Sequence, residues 1–230
     1  MSATVLSVNL GRPQVDRGKP GNTTGIDKQP VDQAEVFAPG PKSSRRRPQP
    51  GLSGLAGDFI GDAKHHGGDI QAVYAVARED LDHLGGLVGR AFPGGSFGEN
   101  LTTLGLDVSG ALIGERWRIG SGPDAVELTV TCARIPCNTF RSWTGERGWL
   151  KTFTRAARPG AYLSVTTPGI VRTGDPVEVV FRPDHQVSIA VLFRSQTLER
   201  DLAELVLTAG DYLDPETREM AERRELFTLG

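Results

Sequence analysis

Cysteine is nearly missing from this chain. Its 230 residues carry two, Cys132 and Cys137, too few for a disulfide framework and in keeping with a reducing cytoplasm. Long apolar runs are missing too. No stretch reaches the roughly 20 apolar residues of a membrane span, and Met1 to Leu10 lack a basic leader and an apolar h-region. That segment reads as an opening strand on Val5, Leu6 and Val8, not as a signal peptide. Neither sign of charge dominates: 26 Lys+Arg face 28 Asp+Glu, so nothing global points to nucleic acid or a membrane surface as partner. The four histidines, His65, His66, His83 and His185, form no metal-binding pattern with two cysteines five apart, which argues against a zinc site. No G-x-G-x-x-G sits between a strand and a helix, and no Walker sequence occurs, which disfavours nicotinamide and P-loop enzymes. A cysteine protease needs a base and an orienting group, and only His66 offers itself as the base.

Glycine and proline are abundant, 29 and 15 residues. They supply positive φ and fixed φ at turns, so their richness predicts many short strands. Strand patterns fall at Val31–Ala38, Gln71–Ala77, Arg116–Ile119, Glu127–Cys132, Tyr162–Thr166 and Pro176–Arg182. Leu81, Leu84 and Leu87 repeat at helical spacing over Arg78–Leu87, and Asn138–Ala157 suggests a helix interrupted near Gly145 and Gly148. Pro39 to Pro50 holds Lys42, Arg45, Arg46 and Arg47 among prolines and serines, the composition of a solvated loop. Beyond Pro183 the period turns helical, and Asp214-Pro215 is an N-cap with proline at the first helical position. The chain thus divides into a mainly β body over residues 1–184 and a small three-helix unit over 185–230.

Three local signatures remain for chemistry: His65-His66-Gly67-Gly68-Asp69 before a strand, Phe97-Gly98-Glu99-Asn100-Leu101, and Ala133-Arg134-Ile135-Pro136-Cys137 directly after a strand. Pro136 removes a backbone donor and holds Ile135 extended, so Cys137 leaves the sheet end at a fixed angle. Arg134 offers positive charge near the sulfur, which favours thiolate. The same residues also suit a small buried thiol beside a surface ion pair.

Taken in order, these signatures resemble the MOSC family. The likeness runs through Gly25-Ile26 with Lys28, Gly54-Leu55, Gly57-Asp58, His66-Gly67-Gly68, Phe97 to Leu101, Ile113-Gly114 and Arg134 to Cys137. It continues to Gly160–Tyr162 and to Gly174-Asp175, and it is similar to the bacterial subgroup with a three-helix tail. The resemblance implies a closed or nearly closed β-barrel with inserted helices, holding a molybdenum cofactor (molybdopterin with Mo) whose metal is ligated by Cys137. It further implies that Lys28, Asn100 and Arg134 contact the cofactor and that His66 faces the metal or donates a proton. Glu99 would pair with an arginine or relay protons. The implied activity is reduction of N-hydroxylated small molecules, such as hydroxylamino-purines and amidoximes, with electrons from a separate redox protein. A persulfide carrier on Cys137 and a cofactor storage protein are the alternatives. Cys132 and Ala133 stand where the family usually has Gln-Pro.

Overall fold

The computed structural model describes residues 2–42 and 53–228. Arg45, Arg46 and Arg47 of the basic stretch, with Gly51 and Leu52, lie outside the described residues. Among the described residues are twelve strands: β1 (Thr4–Leu10), β2 (Gln14–Val15), β3 (Thr23–Thr24), β4 (Gln29–Val31), β5 (Gln33–Val36), β6 (Val73–Ala77), β7 (Leu101–Leu104), β8 (Arg116–Ile119), β9 (Val126–Ala133), β10 (Ala161–Thr167), β11 (Gly169–Arg172) and β12 (Val177–Phe181). Six α-helices accompany them among the same residues: α1 (Arg78–Val88), α2 (Asn138–Thr144), α3 (Trp149–Ala156), α4 (Ile189–Thr197), α5 (Ala203–Leu207) and α6 (Pro215–Arg223).

Eight strands pair in the order β12-β8-β9-β10-β6-β7-β1-β4. β6 lies in the middle and all five of its residues are buried, as a strand covered on both faces requires. It runs parallel to β7, and α1 makes the crossover between them. Elsewhere the ladder is antiparallel.

The expected barrel does not close. Among the described residues no ladder joins β12 to β4; β1 approaches the start of β12 through one bridge between Thr4 and Pro176, flanked by Val5 N–H to the Asp175 carbonyl at 2.8 Å and Val177 N–H to the Ala3 carbonyl at 2.8 Å. Nor is the chain mainly β: helices hold about as many residues as strands, because loops between strands fold into α1, α2 and α3 and the tail adds three more.

The strand expected over Val31–Ala38 is two strands. At Asp32 the carbonyl accepts the Thr173 N–H at 3.0 Å, and the chain leaves β1 (through β4) to pair with β11 (through β5). The interrupted helix over Asn138–Ala157 is α2 and α3, parted by Gly145 and Gly148 at φ 68° and 73°.

One apolar cluster runs from Val5 to Ala221. α4 is laid against the body through Ile189 N–H to Ala111 and Ala190 N–H to Ser109, and Phe193 meets Phe153 at 6.0 Å. Among the described residues no helix is long and apolar enough to cross a membrane.

Candidate functional site

β9 ends at Ala133, whose partner on β10 is Ala161, and the next three residues carry the chain out of the sheet. Cys137 follows in extended conformation as the N-cap of α2, its carbonyl accepting Arg141 N–H at 3.0 Å. The proline-directed exit expected from the sequence therefore delivers the sulfur to the start of a helix. Trp143 Nε1 donates to the Ser96 carbonyl at 3.1 Å, tying α2 to the Phe97-Gly98 turn on the other side.

The sulfur lines a cleft partly open to solvent, together with Lys28, Asp58, His66, Gln71, Asn100, Arg134 and Tyr162. All five residues predicted for the site, Lys28, His66, Asn100, Arg134 and Cys137, thus share one cavity. They do different things there.

Burial pushes the Cys137 thiol up, but it is outweighed by a contact with His66, by the Arg134 guanidinium and by the Phe140 backbone; the net is a thiol lowered to about 6. Cys137 is a thiolate at neutral pH. Cys132, five residues earlier on β9, goes the other way: burial and the Asp214 charge push it up to about 12 despite the Thr131 hydroxyl beside it.

Arg134 is 5% exposed, and its guanidinium carbon sits 3.7 Å from the Phe140 ring centroid and 5.8 Å from that of Tyr74. It takes no carboxylate among the described residues, and its Nη1 is buried without a hydrogen-bond partner. A buried cation with a free donor, opening on a cleft, suits an anion.

Lys28 is spoken for. Its Nζ is ion-paired with Asp58, and burial lowers its pKa more than that carboxylate restores it. Asp58 also accepts Gly11 N–H at 2.6 Å, Ser53 Oγ at 2.6 Å and Asn100 Nδ2 at 2.9 Å. The Asn100 Oδ1 accepts Tyr74 N–H at 3.2 Å, so this side chain stitches β6 to the cleft floor. Lys28, Asp58 and Asn100 form a nearly neutral polar floor in which each polar group already has a protein partner.

Glu99 makes no arginine pair among the described residues. Its carboxylate accepts Gly95 N–H at 2.6 Å, Phe97 N–H at 2.9 Å and Thr102 Oγ1 at 3.1 Å, closing its own turn. Burial nevertheless raises its pKa. The ion pair expected for it is replaced by backbone donors because Gly98, at φ 83°, folds the turn back onto the carboxylate.

His66 is half-buried, its N–H donating to the Asp62 carbonyl at 3.0 Å, which turns the Gly67-Gly68 loop toward the sulfur. Neighbouring His65 pairs with Asp62 at 3.0 Å and stays outside. Asp58, Gln71, Tyr74 and Tyr162 are cleft residues that periodicity and motif reading did not single out as site residues; each serves a different strand or loop, and only the folded sheet brings them together.

Residues 62–178 match the MOSC domain family. The chain belongs to this family. Over 187 residues this MOSC protein is 27% identical to the uncharacterized protein YflK of Bacillus subtilis (strain 168), covering 81% of this chain and 77% of that one. Over 181 residues it is 28% identical to protein YiiM of Escherichia coli (strain K12), covering 74% and 77% respectively. Its fold is like that of YiiM from Geobacillus stearothermophilus, with a TM-score of 0.72 at 24% identity over 96% of this chain and 98% of that one. The cleft of this MOSC protein has donors that could hold a metal-bearing anionic group. A soft thiolate and an unpartnered guanidinium open on it. Among the described residues no three His, Cys, Asp or Glu cluster to hold a metal.

Proposed function

We propose that this MOSC protein is a molybdenum-cofactor-binding oxidoreductase that reduces N-hydroxylated compounds with electrons from a separate redox protein. The observation that carries the reading is Cys137: a thiol lowered to about 6 on a cleft whose buried Arg134 keeps a donor free. A soft metal takes thiolate readily, and the anionic cofactor needs a fixed cation. When bound, the cofactor supplies a two-electron centre able to remove an N-bound oxygen; the protein supplies binding, orientation and electrostatics.

In this reading Cys137 anchors the metal and Arg134 holds the negative face of the cofactor. The phenyl ring of Phe140 under the guanidinium keeps that charge in place without a carboxylate that would neutralise it. Lys28 acts through Asp58 and Asn100, shaping the floor without contributing net charge. In the same reading His66, on a loop followed by Gly67 and Gly68, is the proton donor to the substrate's oxygen. Electron delivery from a partner fits a chain whose sequence has no nicotinamide or flavin motif.

The same thiolate is what a sulfur carrier needs, which separates the two readings experimentally. Purified protein from a cofactor-competent host is assayed for turnover of a hydroxylamino-purine with a chemical reductant, and its mass is measured. Turnover without added flavin or nicotinamide is expected. A mass gain of one sulfur atom on Cys137, with no N–O reduction in protein that holds molybdenum, would overturn the reductase reading.

A further inference from the structure

Gln71 is the cleft residue with an amide oxygen that the fold leaves unused. It ends the 3-10 turn Asp69–Gln71, and its backbone is pinned on both sides: its N–H donates to the Gly68 carbonyl at 2.9 Å, and the preceding Ile70 carbonyl accepts Thr131 Oγ1 at 2.6 Å. Ala72, next in sequence, receives Gly54 N–H at 2.7 Å, and a Cβ on Gly54 would meet Ala72 at 2.9 Å. The side chain is therefore launched from a rigid point. Its Oε1 is buried and has no partner among the described residues.

A buried acceptor left unmade is costly, and beside a cavity it is available to a ligand that enters there. The chemistry of that ligand follows from the neighbours. Tyr74 and Tyr162 lie 5.0 Å apart and give this side of the cleft an aromatic wall. An amide oxygen at the edge of such a wall repels anions and accepts N–H, so Gln71 and Arg134 divide the cleft between a heterocycle edge and a negative group. We propose that the Gln71 carbonyl oxygen is a specificity-determining acceptor that takes an N–H hydrogen bond from the edge of a planar nitrogen heterocycle bound in the cleft. The inference rests on the reading of the cleft as the seat of a pterin cofactor and an N-hydroxylated base, either of which presents such an edge.

The probes are free pterin (2-amino-4-oxopteridine), 1,3-dimethyllumazine, which is a pteridine without an N–H, and 6-hydroxylaminopurine, each titrated into the purified chain by fluorescence or calorimetry. Wild type is expected to bind pterin or the purine about tenfold more tightly than Gln71→Met does, the scale of one buried hydrogen bond. Wild type is also expected to prefer pterin to dimethyllumazine where pterin is the ligand read, an arm that needs no variant to fold. Loss confined to pterin assigns the contact to the cofactor; loss confined to the purine assigns it to the substrate. Equal affinity of wild type and Gln71→Met for both N–H ligands, with the variant folded by its melting curve, overturns the inference. So does failure of wild type to bind either one. Molybdenum content is measured on the same preparation: a chain that discriminates N–H ligands yet carries no molybdenum keeps the role of Gln71 and loses the cofactor reading.

Discussion

Cys132 and Cys137 stand five positions apart and titrate on opposite sides of neutrality, so their reactivity reads the site directly. In cofactor-free protein, iodoacetamide should label Cys137 with a midpoint near pH 6 and leave Cys132 untouched at pH 7, seen by mass spectrometry of peptides. Because folding depresses the Cys137 pKa, the thiolate's stabilisation is complete above the ordinary thiol value and is lost as pH falls through about 6. Labelling of Cys137 with a midpoint near pH 9 would remove the electrostatic account of the site. Lys28 gives the second residue-scale test. Lys28→Met strands Asp58 beneath the cleft and should cost about 3–5 kcal/mol, the penalty for breaking a buried pair from one side, measured by urea unfolding. A loss well below that would mean solvent reaches the pair. Of these residues, Cys137, Arg134 and His66 were legible because motif and position in the chain carry them. Lys28 was named by the family resemblance as a cofactor contact, but its partner was not. That Asp58 neutralises it depends on contacts across thirty residues of sequence, which no local pattern encodes.

Elements were readable wherever a short period or a breaker sat in the sequence. The gap between α2 and α3 came from Gly145 and Gly148, and the entry to α6 from Asp214, whose side chain accepts Thr217 N–H at 3.1 Å. β5 and β11 were less legible, because their pairing is set by where Asp32 meets Thr173 and not by anything local to either strand. Gly145 offers a clean test at this scale. Its φ is 68° and a Cβ there would meet nothing within 4 Å, so Gly145→Ala should cost about 1 kcal/mol through backbone conformation alone. A neutral substitution, by chemical denaturation, would show that the end of α2 adapts and does not fix the approach of Cys137.

For the whole molecule, the change of character near Asp184 marks the start of helices and leaves open whether they stand alone. Their packing bears on it: Val187, Ile189, Leu192 and Phe193 are fully buried in the same cluster as Phe153 and Val130, and His185 Nε2 donates to the Ile113 carbonyl at 2.9 Å. A chain ending at Asp184 would expose that apolar face, worth about 25 cal/mol per Å². We predict that it loses cooperative thermal unfolding; a sharp transition with retained β-type circular dichroism would instead make the three helices an appendage. Sheet closure was the feature least available from sequence, since the single Thr4–Pro176 bridge joins the two ends of the chain's body.

The central claim is that Cys137 holds a molybdenum cofactor in this cleft. Wild type, Cys132→Ser and Cys137→Ser are to be purified from one cofactor-competent host and their molybdenum measured per mole of folded protein. The account predicts about one molybdenum per chain in wild type, nearly the same in Cys132→Ser, and a marked loss in Cys137→Ser, where a hard hydroxyl replaces a soft thiolate. Molybdenum retained in full by folded Cys137→Ser, or lost from Cys132→Ser instead, would contradict it.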